Sequence, residues 1–142
     1  MKERTTQTAL RNVTEPIFEF LGYRFEKGQR YPRRKRLDKF QDKIRGITKR
    51  ANGYSLDDII SRLNPSLIGW FGYFKHSRKC VFTSIDGWIR MRLRSILRKR
   101  QGRKGRAKGD DNRRWSNKFF VEHGLYSLTS AHFKICQSRC QR

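Results

Sequence analysis

The hydrophobic pattern is most regular in the middle of the chain, at residues 63–74. Four large apolar residues there recur at spacings of three and four, which places them on one face of a helix of about residues 66–78. A helix-breaking proline at position 65 is expected to separate this helix from the segment before it. The apolar face is predicted to pack in the core and consists of Leu67, Trp70, Phe71 and Phe74.

The opposite face of this helix carries little side-chain bulk. It presents Gly69, Gly72 and His76. Because glycine has no side chain, a neighbouring backbone, from another helix or from a nucleic-acid strand, can approach this face closely.

Two helices are predicted before this one. Residues 37–50 carry apolar side chains at relative positions 0, 3, 7 and 10, and Asn52-Gly53 follows as a typical helix C-terminal signal. Ser55 and Asp58 have the spacing of an N-terminal cap, which opens a second, short helix ending near residue 63.

The longest helical pattern covers residues 85–100. Thr83 or Ser84 can cap it, and residues 80–82 are expected to be a brief connector. Trp88 lies at the edge of the apolar face and is also assigned to packing.

The two ends of the chain complete the predicted fold. Residues 17–25 are rich in aromatic side chains and predict a strand, with a turn at 27–29 and a short return strand, so a β-hairpin is expected. Near the other end, short helices are predicted at about Asn117–Glu122 and from Ser127 or Thr129 to about residue 138. The sequence therefore predicts a mainly α fold, a helical bundle preceded by a short β-hairpin and followed by a basic flexible loop and a small helical tail.

The net charge of the chain indicates which class of partner it binds. Its 142 residues include 35 Lys and Arg against 12 Asp and Glu, a formal net charge of +23. Positive charges at this density repel one another, which is typical of proteins that bind a polyanion. Nucleic acid is therefore the expected partner, and a membrane surface is the weaker alternative. Without an 18-residue apolar run or an apolar leader, and with an odd count of three cysteines, a cytoplasmic location is expected.

Basic residues are concentrated in three segments that we predict to contact nucleic acid. The first segment precedes the first helix. In the second, arginines recur every four residues along the helix of residues 85–100, and the third is the loop of residues 98–109. Like charges in register repel unless phosphates run alongside. The loop is either a solvated linker or, as its Gly-rich basic composition favours, an arm that orders on binding. With the most exposed aromatic candidate, Tyr73, the predicted contacts are Arg33, Arg34, Lys35, Arg36, Tyr73, Arg90, Arg94, Arg98, Arg100, Arg103, Lys104 and Arg106.

Two sets of residues resemble catalytic or metal sites and are not assigned as such. The turn Gly109-Asp110-Asp111 resembles the paired carboxylates of polymerases, but it follows a basic loop rather than joining two apolar strands. His132, Cys136 and Cys140 are spaced by four residues, so along one helix they span about 12 Å at 1.5 Å per residue, too far to share one ion. The sequence predicts no catalytic residue, no metal and no cofactor.

An ordered series of short motifs covers most of the chain, roughly residues 17–139. It comprises Phe20-Leu21-Gly22-Tyr23, Asn64-Pro65, Gly69-Trp70, Tyr73-Phe74, Ile85-Asp86-Gly87-Trp88-Ile89, Trp115, Gly124-Leu125, Ser127-Leu128 and Ala131-His132. This series resembles the maturase-specific region, also called the thumb or domain X, of group II intron reverse transcriptases. Its first motif is similar to the junction between palm and thumb in that family.

The resemblance implies an organisation and a function. Residues 1–35 would be an N-terminal stump and hairpin like the end of a palm, residues 36–101 the helical maturase-specific domain, and residues 102–142 the basic loop and tail. The family's thumb grips intron RNA for splicing and, in the full enzyme, holds the template–primer duplex. The chain is therefore expected to bind group II intron RNA or other structured nucleic acid and to assist intron folding and splicing.

Two alternatives stay open. Since the fingers and the palm with its metal-binding aspartates are missing from this sequence, the isolated chain is expected not to polymerise DNA. One alternative to an RNA-binding module is a fragment that is active only with a separate reverse transcriptase palm chain. The other is a non-functional remnant of a mobile element.

Overall fold

Three short antiparallel strands open the part of the chain that the structure, a computed structural model, describes, which is residues 18–141. They are β1 (Phe18–Phe20), β2 (Tyr23–Glu26) and β3 (Gln29–Pro32), in the order β1-β2-β3. The two connecting turns are Leu21-Gly22 and Lys27-Gly28, and all four turn residues have positive φ. This conformation is typical of tight hairpin turns, where glycine is favoured.

The predicted two-stranded hairpin is therefore wrong in one respect. Residues 17–25 were expected to form one continuous strand, but Leu21-Gly22 turns the chain back and divides it into β1 and β2. The alternating aromatic pattern concealed the turn, which Gly22 makes possible at φ 78°. The predicted N-terminal stump and Ile17 lie outside the described residues.

Three long helices follow the sheet and form the body of the fold. They are α1 (Arg34–Ile47), α2 (Leu56–Phe74) and α3 (Lys79–Arg100). The side chain of Ser55 caps α2 by accepting a hydrogen bond from the Asp58 N–H at 3.1 Å, which confirms the predicted cap. The prediction of a mainly helical fold behind a small antiparallel sheet is confirmed.

Two predicted helix boundaries are wrong. The short helix ending near residue 63 and the helix of residues 66–78 are a single helix, α2, that contains Pro65. A continuous buried stripe from Ile59 to Phe74 runs through the proline, and burying it outweighs the roughly 3 kcal/mol that an interior proline costs. Residues 80–82 are not a connector but part of α3, because Phe82 extends its buried face and is fully buried.

Three short helices complete the chain. They are α4 (Gly109–Arg114), α5 (Asn117–Glu122) and α6 (Leu128–Cys140). Helix α5 has the predicted bounds, and Ser127 rather than Thr129 caps α6. Helix α4 was not predicted, since the predicted loop ends at Gly109 and no element was assigned to residues 110–114.

One hydrophobic cluster joins the long helices to the tail. Ile44 of α1, Leu67 of α2 and Leu93 of α3 are buried in it together with Phe120 and Leu128 from the tail. The predicted division of the chain at residues 35 and 101 stays a prediction, but the buried cluster contains residues from both sides of the second boundary.

Two polar residues of the sequence motifs fix the tail in place. The side chain of Asn64 donates to the Gly124 carbonyl at 2.8 Å and accepts from the Tyr126 N–H at 2.9 Å. Buried Asp86 accepts hydrogen bonds at the start of α6, from the Ser127 hydroxyl at 3.0 Å and from the backbone N–H groups of Leu128 at 3.1 Å and Thr129 at 2.9 Å. A carboxylate at this position also interacts favourably with the helix dipole.

The sheet is attached to the end of α2 by reciprocal tyrosine contacts. The Tyr23 hydroxyl donates to the carbonyl of Tyr73 at 2.7 Å, and the Tyr73 hydroxyl donates to the carbonyl of Leu21 at 3.0 Å. Their rings stack with centroids 6.4 Å apart and planes 11° apart. Burial is the main reason that the pKa of Tyr23 is raised above its ordinary value.

Candidate nucleic-acid interface

The fold uses most of its described carboxylates internally. Asp86 and Asp111 are buried and accept hydrogen bonds, and Asp58 binds the hydroxyl of Ser55. Others form exposed ion pairs with nearby side chains, among them Glu19 with Arg33, Asp38 with Arg34 and Asp42 with Arg45. Most of the described carboxylates therefore already have a partner within the fold.

An aromatic groove of about 390 Å³ lies between α1 and α2. Its apolar part is formed by Phe40, Trp70, Tyr73 and Phe74, and Gly69 leaves room beside them. Three cations from α1 line the same groove, namely Arg36, Lys39 and Lys43. No carboxylate of residues 18–141 lines it.

Two further grooves continue this positive surface. The lysine groove, of about 460 Å³, lies at the end of α1 and contains Lys43, Lys49 and Arg62. The loop groove, of about 390 Å³, lies between Arg50 and the loop after α3. It contains three further cations, Lys99, Arg103 and Lys104, and neither groove is lined by a carboxylate.

The aromatic and lysine grooves adjoin, and the loop groove begins at the next residue of the chain. The aromatic and lysine grooves share Lys43, and the lysine and loop grooves contain the consecutive residues Lys49 and Arg50. We call their cations the basic strip: Arg36, Lys39, Lys43, Lys49, Arg50, Arg62, Lys99, Arg103 and Lys104. Arg103 lies 4.0 Å from the carboxylate of Asp111, and none of the other eight forms an ion pair among residues 18–141. Cations without a carboxylate partner are suited to contact the phosphates of a nucleic acid.

The predicted basic segment before α1 divides between two roles. Arg33 and Arg34 form exposed ion pairs with Glu19 at 2.6 Å and Asp38 at 3.3 Å. Arg36 belongs to the basic strip, and Lys35 is exposed. Only part of this predicted segment therefore faces the grooves.

The predicted arginine stripe of Arg90, Arg94 and Arg98 does not form an exposed row, and this expectation is corrected. Arg94 is 8% exposed and donates hydrogen bonds to the Trp115 carbonyl at 2.8 Å and to the Asn117 side chain at 2.9 Å. Burial lowers its pKa from the ordinary value. Residues spaced by four lie on one face of a helix, and in α3 this face is directed toward the tail. The sequence alone did not predict where the tail packs.

The other two members of the stripe also face the protein. Arg98 has only 12% of its side chain exposed and pairs at 2.5 Å with Asp111. Arg90 is half-buried and lines a cleft of about 170 Å³ between α3 and the tail. Neither lies in the basic strip.

The basic loop folds back onto the end of α3. Arg98 donates to the Lys104 carbonyl at 3.1 Å, and the Arg103 N–H donates to the Arg98 carbonyl at 3.2 Å. Arg103 and Lys104 belong to the basic strip, Arg106 is exposed, and Arg100 donates to the carbonyl of Tyr54. The predicted phosphate contacts of this loop stay predictions.

The aromatic residues singled out in the sequence differ in how deeply they are buried. Phe71 and Phe74 are buried, whereas Trp70 and Trp88 are partly buried and pack against the core. Trp88 lies between the guanidinium groups of Arg45 and Arg92, at 5.5 Å and 5.3 Å from its ring centre. Tyr73 is 55% exposed and lines the aromatic groove.

The paired aspartates after the loop are structural. Asp111 is 1% exposed, accepts from the Lys108 N–H at 2.8 Å and pairs with Arg98. The Lys108 N–H, and then the Arg98 guanidinium, hold the pKa of Asp111 below its ordinary value. The carboxylate thus serves to close the loop and begin α4.

The cysteine and histidine residues of α6 do not gather into a larger site. The Cys136 sulfur lies 3.8 Å from Nδ1 of His132, and both cysteines of this helix are exposed. Among residues 18–141, no three His, Cys, Asp or Glu side chains are grouped so that they could hold a metal ion.

Most of the basic strip was missed by sequence reasoning. Lys39 and Lys43 are spaced by four residues, on the side of the predicted first helix away from Ile44. That spacing is a signal that could have found them. Lys49, Arg50, Arg62 and Lys99 carry no such pattern, since they meet only in the folded structure.

The fold and surface define a small, strongly basic helical domain with three cation-lined grooves, to which residues 18–141 contribute no carboxylate. The family model for the group II intron, maturase-specific domain, matches residues 37–115, and the chain belongs to this family. No curated protein matches the chain. Within residues 18–141, every helix is too short or too polar to cross a membrane.

Proposed function

We propose that the chain binds group II intron RNA along the basic strip and in this way assists folding and splicing of the intron. The observation that carries the proposal is the strip itself, in which nine cations line three grooves to which residues 18–141 contribute no carboxylate. Membership of the maturase-specific family supplies the kind of RNA.

The contacts would be made mainly to phosphates. Arg36, Lys39 and Lys43 stand on one helix, so their spacing is fixed by a rigid element rather than by a loop. Phosphate contacts position an RNA without reading its sequence. Preference for an intron would therefore come from the shape of the folded RNA that fits the three grooves together.

The proposal includes no polymerase activity for this chain. The paired aspartates that most resemble a metal site are committed to the fold, because Asp111 is held by Arg98 and by the Lys108 N–H. In this account residues 18–141 contribute RNA binding, and any DNA synthesis would require carboxylates from outside them.

A comparison of two RNAs tests the proposal. The purified chain is titrated with a folded group II intron RNA and with an unrelated structured RNA of equal length, over a series of salt concentrations. We expect tighter binding to the intron that persists at moderate salt, and a faster or more complete splicing reaction when the chain is added.

Equal and steeply salt-dependent binding to both RNAs would contradict the proposal. Electrostatic attraction alone produces such behaviour for any strongly basic chain. That result, together with no effect on splicing, would favour the remnant of a mobile element instead.

A further inference from the structure

We infer that the aromatic groove holds one unpaired nucleobase of the bound RNA strand, with the adjoining phosphates on the cations of α1. The inference rests on the proposed RNA binding and adds a base-binding site to it. A groove of about 390 Å³ falls within the range of about 300–1,000 Å³ that is usual for sites of small ligands.

Stacked rings form a flat apolar floor in this groove. Trp70 stacks on Phe40 with ring centres 4.6 Å apart and planes 19° apart, and it contacts Phe74 at 4.9 Å. Phe40 and Phe74 are buried, whereas Trp70 is only partly buried. The floor thus contains one partly exposed ring, Trp70, that is held by two buried rings, and an aromatic ring of this kind is what a base stacks on.

Tyr73 forms a wall that is already fixed in position. Its hydroxyl donates to the Leu21 carbonyl at 3.0 Å, and its ring stacks on Tyr23 and meets Phe74 edge-on at 4.7 Å. The side chain is nevertheless 55% exposed. Because the ring is already ordered, binding a base against it costs little conformational entropy.

The rim of the groove carries the charge that a nucleotide would require. Arg36, Lys39 and Lys43 recur along one side of α1, and among residues 18–141 none of them forms an ion pair. The two carboxylates of this helix, Asp38 and Asp42, pair with arginines that do not line the groove. An apolar floor with a purely cationic rim complements an aromatic base attached to phosphates.

Gly69 keeps the groove open and provides a clean test. A Cβ atom at this position would meet nothing within 4 Å, so a side chain here begins in open space beside the groove that Gly69 lines. A Cβ atom at Gly72 in the same helix would also meet nothing within 4 Å, but Gly72 does not line the groove. Replacing either glycine favours the helix, so Gly69→Leu and Gly72→Leu are matched variants, and equal thermal unfolding midpoints show that they differ only at the groove.

The experiment compares two strands that share a backbone. Wild type and both variants are titrated with an eight-nucleotide oligouridylate and with an abasic strand of the same length. Since stacking of one base contributes about 1–3 kcal/mol, we expect the wild type and Gly72→Leu to bind the base-bearing strand about tenfold more tightly. Gly69→Leu should lose this difference while its affinity for the abasic strand stays unchanged.

The outcomes separate this inference from the proposed function. Equal affinity of the wild type for both strands would overturn the base-binding site and leave the groove to another partner such as a peptide, while RNA binding through phosphates would stand. A base preference that survives in Gly69→Leu would overturn it too, because the base would then be bound elsewhere. Loss of all intron preference would instead count against the proposed function.

Discussion

Arg98 donates a hydrogen bond to the carboxylate of Asp111 across 2.5 Å, and the two residues are 13 positions apart in the chain. Asp111 also accepts from the Lys108 N–H at 2.8 Å, so the carboxylate closes the basic loop at both ends. Two residues that the sequence suggested for phosphate binding and for a polymerase-like turn therefore bind each other.

Replacing Arg98 should destabilise the protein. Arg98→Gln leaves Asp111, which is 1% exposed, without its nearest cation, and an unpaired buried charge is strongly unfavourable. We expect a thermal unfolding midpoint, followed by circular dichroism, that is lower by several degrees. Arg106→Gln, which changes an exposed residue of the same loop, is the control, and similar midpoints for the two variants would refute the structural role of Arg98.

Arg94 is expected to act in the same way through its hydrogen bonds. Arg94→Met keeps an unbranched apolar stem but removes the guanidinium group and its contacts to the Trp115 carbonyl and to Asn117. Hydrogen bonds of a charged group contribute about 1.5–3 kcal/mol, so chemical denaturation should show a loss of free energy of unfolding of that size. A variant as stable as the wild type would return Arg94 to the list of candidate RNA contacts.

Asp86 should hold the tail against the body. Asp86→Ala removes the acceptor for the N–H groups of Leu128 and Thr129, a change comparable to the loss of a helix cap, which costs about 0.5–2 kcal/mol. Hydrogen exchange should become faster in α6 than in α1. Uniformly faster exchange in both helices would mean that Asp86 supports the whole fold rather than the tail.

Stability should fall at mildly acidic pH because of two histidines. Burial is the first cause that lowers the pKa of His76 and of His132 below 6.5, and nearby cations, including Arg139 for both, add to it. The unfolded chain therefore binds protons more readily, so stability is lost as the pH falls below 6.5 and through the lower folded-state pKa. The double variant His76→Gln, His132→Gln should lose less stability between pH 7 and pH 5 than the wild type; equal losses would show that other groups are responsible.

Much of the fold follows from periodicity, but its boundaries required tertiary information. The apolar repeats of α1 and α2 and the capping pair Ser55 and Asp58 identified helices correctly. The continuity of α2 through Pro65 did not follow, because the cost of the proline is local while the burial that offsets it involves residues from other helices. The turn at Leu21-Gly22 was missed for a local reason, since the aromatic residues on both sides of it form a strand pattern that concealed the turn.

The candidate site was less predictable than the fold. Composition indicated a polyanion partner, but it did not show which cations remain available after folding. Arg94 and Arg98 sit at a helical spacing that resembles a binding stripe, and only the position of the tail shows that they are buried. Lys49 and Lys99 both belong to the basic strip although they are 50 positions apart in the chain. No local sequence pattern can reveal such a relationship.

The salt dependence of intron RNA binding tests the central claim most directly. The triple variant Lys39→Gln, Lys43→Gln, Lys49→Gln neutralises three cations of the basic strip, and Lys27→Gln, Lys118→Gln, Lys134→Gln removes the same charge from exposed lysines outside it. Each lost phosphate contact reduces the slope of log K against log salt by about 0.7–0.9. We predict a slope shallower by about two units for the strip variant and an unchanged slope for the control; equal slopes for the two variants would contradict the assignment of the RNA-binding surface.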